Sequence, residues 1–138
     1  VQTFLPYPSF VRSAQCLDYR RLGKQRVEAR QILSTLRGEG KRGWRNHPAV
    51  LMWEGYEEAL TVYGNVMIAE WRRRGYKNSM ELLRVARRVP PPWLGNRRFH
   101  DSHKSNLLRK DSGYYGQFGW NVPDDLPYVW PTQEGMMQ

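Results

Sequence analysis

Four side chains on one helical ridge are the first candidates for chemistry. Arg21 and Glu28 are seven positions apart, so on a helix they nearly eclipse each other two turns apart, with Lys24 and Gln25 between them on the same side. The ridge borders the apolar positions Leu22, Ala29, Ile32, Leu33 and Leu36. A carboxylate there is not freely solvated, and neighbouring cations can tune its proton affinity for acid/base work. The structural alternative is an ion-pair ladder worth roughly a few tenths of a kcal/mol. His47, in Trp44-Arg45-Asn46-His47-Pro48, stands at a helix start, where the dipole disfavours the charged ring and leaves a neutral donor or acceptor, or simply a cap. His103, Asn106 and Lys110 fall on one side of a later helix, with Lys104 and Arg109 nearby, and that face suits phosphates. His100 and His103 lack the further ligands a zinc site needs. No P-loop, GxGxxG or GxSxG segment occurs, so dinucleotide binding, phosphoryl transfer and serine hydrolysis have no support.

The elements that must hold these residues read as helices joined by glycine and proline. Val1 to Pro8 is an extended arm, since Pro6 and Pro8 forbid a helix interior. Ser9 caps a short helix from Phe10 to Leu17, and Asp18 caps a second that runs to about Arg37 and stops at Gly38 and Gly40. Lys41 to Arg45 is a basic loop. Asn46 caps the next helix with Pro48 near its first position, and Gly55 or Gly64 breaks that helix before Gly75 ends it. Ser79 starts a short helix to about Arg88, Pro90-Pro91-Pro92 makes a rigid connector, and Asn96 caps a helix from Arg97 to about Lys110. No strand signal and no repeat occurs. The expected fold is all-α, a compact single domain over 1–138 with a long irregular, aromatic-rich C-terminal segment. Tyr114, Tyr115, Phe118, Trp120, Tyr128 and Trp130 in that segment pack on the helices or stack on unpaired bases, with Tyr114-Tyr115-Gly116 the best candidates for stacking.

Charge points to the partner. The chain of 138 residues carries a formal net charge of +9. Residues 71–110 hold 12 basic and 2 acidic side chains, whereas 111–138 hold none and 4. A concentrated positive middle rich in arginine fits a phosphate-gripping face. Anionic membrane fits less well, because the basic stretches carry no wide apolar face, and no apolar run is long enough to span a bilayer. The lone Cys16 excludes an internal disulfide framework and reads as a small buried side chain. Val1 to Phe10 lacks the charged start of a signal peptide, so the expected compartment is the cytoplasm, of a bacterium or of a phage-infected cell.

These residues resemble a known family. Tyr19-Arg20-x-Leu22, then Arg45-Asn46-His47-Pro48 with a long helix ending Arg73-Arg74-Gly75-Tyr76, then Leu107-x-x-Lys110 with Tyr114-Tyr115-Gly116, are similar in order and spacing to the phage-type pyrimidine-dimer DNA glycosylases of the endonuclease V group, and in particular to their bacterial and actinophage relatives. The resemblance implies an all-α fold gripping double-stranded DNA across a basic concave face, with no metal and no cofactor. It also implies that the α-amine of the first residue attacks the sugar C1′ to form an imine, while a glutamate on the first long helix assists base departure and β-elimination. α-Amines as a class ionise near pH ~8, so a useful neutral fraction exists at working pH. At the position matching the family's glutamate this chain has Arg21; Glu28 is the nearest carboxylate on that face, about 10.8 Å further along the axis.

The expectation is therefore a monomeric DNA glycosylase with AP-lyase action on damaged or modified bases. Val1 is the nucleophile, Glu28 the acid/base, and Arg21, Lys24, Arg26 and His47 orient phosphate and sugar. Lys104 and Lys110 hold the DNA backbone, with Arg20, Arg45, Asn46, His103 and Asn106 as further contacts, and Tyr114 or Tyr115 fills the stack left by an extruded nucleotide. The alternatives are a DNA-binding module without chemistry on the same scaffold, and a protein that binds a nucleotide or modified nucleoside.

Overall fold

The structure, a computed structural model, describes residues 1–40, 42–87 and 89–131; Lys41 and Arg88, each at the end of an expected segment, lie outside the described residues. The described residues are helical and contain no strand. Ser9 caps α1 (Phe10–Cys16) by accepting the Arg12 N–H, and Asp18 caps α2 (Tyr19–Leu36) by accepting the Arg21 N–H. After a 3₁₀ turn at Arg42–Trp44 comes α3 (Pro48–Leu51), capped by His47 and not by Asn46: the His47 Nδ1 accepts the Ala49 N–H at 3.0 Å. Gly55, at φ +85°, separates α3 from α4 (Glu57–Arg73). Asn96 caps α5 (Arg97–Lys110), and Asp111 caps the single turn α6 (Ser112–Tyr115), which leads into a second 3₁₀ turn at Gly116–Phe118.

The main packing is α2 against α4. Their apolar stripes meet through Leu22, Ala29, Ile32 and Leu33 on one side and Ala59, Leu60, Tyr63 and Met67 on the other, all buried. Two small residues set how closely the helices cross. A Cβ on Gly64 would lie 3.3 Å from that of Ala29, and a Cβ on Gly23 would lie 2.8 Å from the six-membered ring of Trp71, which packs against α2 at that point. An aromatic cluster of Phe10, Trp53, Tyr63, Trp93 and Phe99 joins α1, α4 and α5 over the middle of this pair.

The helix expected from Ser79 does not form. Residues 76–85 have no regular structure and run as a strap across α2 and α4. Side chains of those helices take the backbone hydrogen bonds that an internal helix would have made. Asn65 accepts the Leu83 N–H at 2.9 Å and donates to the Leu83 carbonyl at 2.8 Å; Arg30 donates to the Glu81 carbonyl at 2.6 Å; Glu58 accepts the N–H groups of Ala86 and Arg87. The C-terminal segment is less irregular than expected as far as Phe118. Beyond it Trp120 stacks on Tyr115 and donates to the Tyr7 hydroxyl at 2.8 Å, so its rings are held against the helices.

Candidate active site

The arm of residues 1–5 lies along α2, and nearly every backbone polar group from Gln2 to Leu5 is bonded to a side chain. Glu28 Oε2 accepts the Gln2 N–H at 3.1 Å. Gln25, 1 % exposed, donates to the Gln2 carbonyl at 2.9 Å and accepts the Phe4 N–H at 3.0 Å. The Tyr63 hydroxyl lies 2.9 Å from the Phe4 carbonyl and 2.5 Å from Gln25 Oε1. Trp53 donates to the Thr3 hydroxyl at 3.0 Å, and two histidines of α5 clamp Leu5: His103 Nδ1 accepts its N–H at 2.9 Å and His100 Nδ1 lies 2.7 Å from its carbonyl. Satisfaction of this kind fixes an extended chain without a sheet partner. It also carries the first residue to the wall of a cleft.

That cleft has a volume of about 1080 Å³, and Val1, Glu28, Arg20, Arg21, Lys24, His47, Lys110 and Tyr114 all line it. Glu28, its side chain 13 % exposed, lies 4.0 Å from the Lys24 ammonium and accepts from Gln25 Nε2 at 3.3 Å. The arm runs past Gln25 and sets its first peptide N–H directly on Glu28, two turns along α2 from Arg21. Arg21 is tied to Asp18 at 3.1 Å, and Asp18 also accepts the Tyr115 hydroxyl at 2.5 Å; these bonds hold the Asp18 carboxyl below its ordinary range against the opposing effect of burial. Arg74 reaches the cleft while paired with Glu70 at 2.7 Å. Arg20 and Lys110 have no carboxylate partner among the described residues. Removal from water lowers the His47 pKa, and the α-amine charge adds to the effect, so the ring is the neutral acceptor that caps α3.

Other expected contacts lie elsewhere. His103 is fully buried and Asn106 nearly so, donating to the Ser102 and Leu126 carbonyls. They face the core because Phe99 and Leu107 share their side of α5, and only Lys110, at the helix end, escapes to the cleft. Tyr115 is fully buried and cannot fill a base stack. Lys104 sits 4.0 Å from Asp101 beside a separate hollow, Arg45 pairs with Glu54 at 2.8 Å, Asn46 is exposed off the cleft, and Arg26 lies under the strap, bonded to Asn78 at 2.6 Å. Of the cationic stretch 71–110, Arg74 and Lys110 line the cleft.

Sequence reasoning placed Gln25 on the candidate ridge, Tyr76 in a motif and Tyr128 and Trp130 among the tail aromatics, but gave none of them, nor Tyr63, a defined role at the site. Gln25 had a signal: an uncharged polar residue between Leu22 and Ala29 on an apolar stripe must bond something inside.

The histidine clamp makes acid sensitivity an expected property. Burial lowers the His103 pKa from 6.5 to about 3 and lowers that of His100 as well. The unfolded chain then binds more protons than the folded one below about pH 6.5, so stability is complete above that value and is lost as pH falls toward the native-state pKa values. Each buried ring contributes a slope of up to about 1.4 kcal/mol per pH unit. Urea midpoints measured from pH 7.5 down to 4.5 are expected to fall below pH 6.5; a flat profile to pH 5 would show that the two rings do not hold the arm as neutral bases.

No curated protein and no solved structure matches the chain. Residues 1–84 match the family of pyrimidine dimer DNA glycosylases. The matched span includes the arm and helices α1 to α4, with Val1, Arg20, Arg21, Lys24, Glu28 and His47. More than half of the sequence lies within the match, so the arm, the glutamate beneath it and the cationic cleft belong to a member of the pyrimidine dimer DNA glycosylase family.

Proposed function

We propose that the protein, as a monomer on double-stranded DNA, removes a damaged base and then nicks the strand through an imine formed on its N-terminal amine. The observation that carries this reading is the Glu28 carboxylate bonded to the Gln2 N–H beside the Val1 amine, in a cleft lined by Arg20, Lys24 and Lys110. The neutral amine attacks C1′, the glycosidic bond breaks, and the base leaves with a proton given by Glu28. The C1′–O4′ bond then breaks as the amine nitrogen becomes an iminium, and the proton that the nitrogen gives up passes to O4′. Glu28 carboxylate takes a proton from C2′, the C3′–O bond breaks with the phosphate as leaving group, and water releases the amine. Arg20, Lys24 and Lys110 hold the flanking phosphates. No cofactor is consumed.

Borohydride trapping on an abasic duplex tests it. The expected result is a covalent adduct that peptide mapping places on the N-terminal residue. An adduct on Lys24 would overturn the assignment of the nucleophile. Salt-sensitive DNA binding with no adduct at any pH would favour the rival reading of a binding module without chemistry, which Arg21, bound to Asp18 at the family's glutamate position, supports.

A further inference from the structure

We infer that the hollow between α2, Trp44 and the strap receives the apolar C-terminal residue of a partner polypeptide, whose carboxylate pairs with Arg30. The hollow has a volume of about 430 Å³, and Val27, Trp44 and Met80 are its apolar walls. The apolar surface continues outside it. Val27 is 42 % exposed, and Leu82, two residues along the strap from Met80, is 50 % exposed. Arg30 lines the hollow as well. Its Nη2 donates to the Glu81 carbonyl at 2.6 Å and to Asn65 Oδ1 at 3.4 Å, and its Nε is buried without a partner. The half-buried Arg21 and Arg74 are each paired with a carboxylate, of Asp18 and of Glu70. Arg30 has none among the described residues, and burial lowers its pKa with no opposing charge.

A desolvated guanidinium beside an apolar hollow is short of one anion. Glu39 also lines the hollow, which favours a single terminal carboxylate over a run of acidic side chains. The strap supplies an edge for the rest of the partner. The Glu81 carbonyl and both polar groups of the Leu83 backbone are bonded to α2 and α4. Along an extended chain the backbone groups of Leu82 and Arg84 therefore turn the other way, and no described residue bonds them. An incoming strand can pair there as at an open sheet edge, with its last side chain about 7 Å further on at Met80 and its carboxylate on Arg30. A free small acid would fill the hollow and leave that edge and Leu82 uncovered. Val27 and Glu28 are consecutive and so point about 100° apart around α2. A chain seated on Val27 leaves the cleft open.

Fluorescence anisotropy tests this with two labelled hexapeptides, Gly-Thr-Val-Thr-Ile-Phe with a free C-terminal carboxylate and the same sequence ending in an amide. The free acid is expected to bind with a Kd of roughly 1–100 μM. The amide is expected to bind about tenfold or more weakly, because the charge-assisted bond to Arg30 is lost. Val27→Glu places a like charge beside the carboxylate at an exposed position outside the cleft. It is expected to weaken the free acid about tenfold or more, while affinity for a duplex carrying an unreactive abasic analogue stays within about twofold. Arg30→Gln is expected to bind acid and amide alike. Equal wild-type affinity for acid and amide, an unchanged Kd in Val27→Glu, or no binding of the free acid at about 1 mM would overturn the proposal. Phenylpropionate that binds as tightly as the free-acid peptide would overturn the polypeptide partner and leave a small-acid site in its place.

Discussion

Replacing Glu28 by Gln is expected to slow base removal by about 10²–10⁴-fold while leaving affinity for an abasic-analogue duplex within a few-fold of wild type. The substitution is a clean one. The amide keeps an oxygen for the Gln2 N–H, so the arm stays where it is, and what disappears is the capacity to take or give a proton together with the long ion pair to the exposed Lys24. The charges proposed to grip phosphate, on Arg20, Lys24 and Lys110, are untouched. Single-turnover rates on a dimer-bearing or abasic duplex, set beside binding to the unreactive analogue, separate the two effects. A variant that removes bases within a factor of a few of wild type would take Glu28 out of the chemistry. Attention would then move to the other acids lining the cleft, Asp18 and Asp111.

The second large effect is expected at Gln25, a positioning residue. Gln25→Met preserves volume and removes every polar contact, stranding the Phe4 N–H and the Gln2 carbonyl in a dry interior and taking an acceptor from Tyr63. Each of these two stranded groups costs about 1–3 kcal/mol, so the total is about 2–6 kcal/mol, or a fall in Tm of roughly 5–25 °C for a chain of this size. The catalytic signature follows from geometry. On the proposed mechanism a loosened arm lets the amine wander, so kcat is expected to fall while KM for DNA, set by the proposed phosphate contacts, stays near wild type. Hydrogen exchange at the Phe4 amide is expected to accelerate in the variant. Unchanged exchange there, with Tm within 2–3 °C of wild type, would mean that other contacts hold the arm.

Much of the scaffold was legible because its signals are local. Ser9, Asp18 and Asn96 cap helices α1, α2 and α5 as their types require, and Gly55 makes the break that glycine permits. The errors share a physical origin. Residues 79–87 look helical on their own, yet Asn65, Arg30 and Glu58 offer their backbone better partners from outside, and no local pattern announces that. His103 and Asn106 do share a helical face with Lys110, as spacing required. Spacing does not say which way the face turns, although Phe99 and Leu107 on the same side carried that information. The cleft was half legible. Arg20, Arg21, Lys24, Glu28 and Lys110 came from charge, ridge geometry and resemblance, whereas the path of the arm over Glu28 depends on contacts from α2, α4 and α5 and from Trp53 beyond the end of α3.

Those contacts also govern how the chain can reach its native state. Leu5 is held by residues 95 and 98 positions away, Asp18 by Tyr115 across 97, and Trp120 by Tyr7 across 113. Closing loops of that length precedes any reward from the contacts, so local helices are expected to form early and the joining of the two chain ends to come late. A partly folded molecule with α2 and α4 already paired would have a cationic surface but no fixed amine. On the proposed mechanism, it could bind DNA before it could cut it.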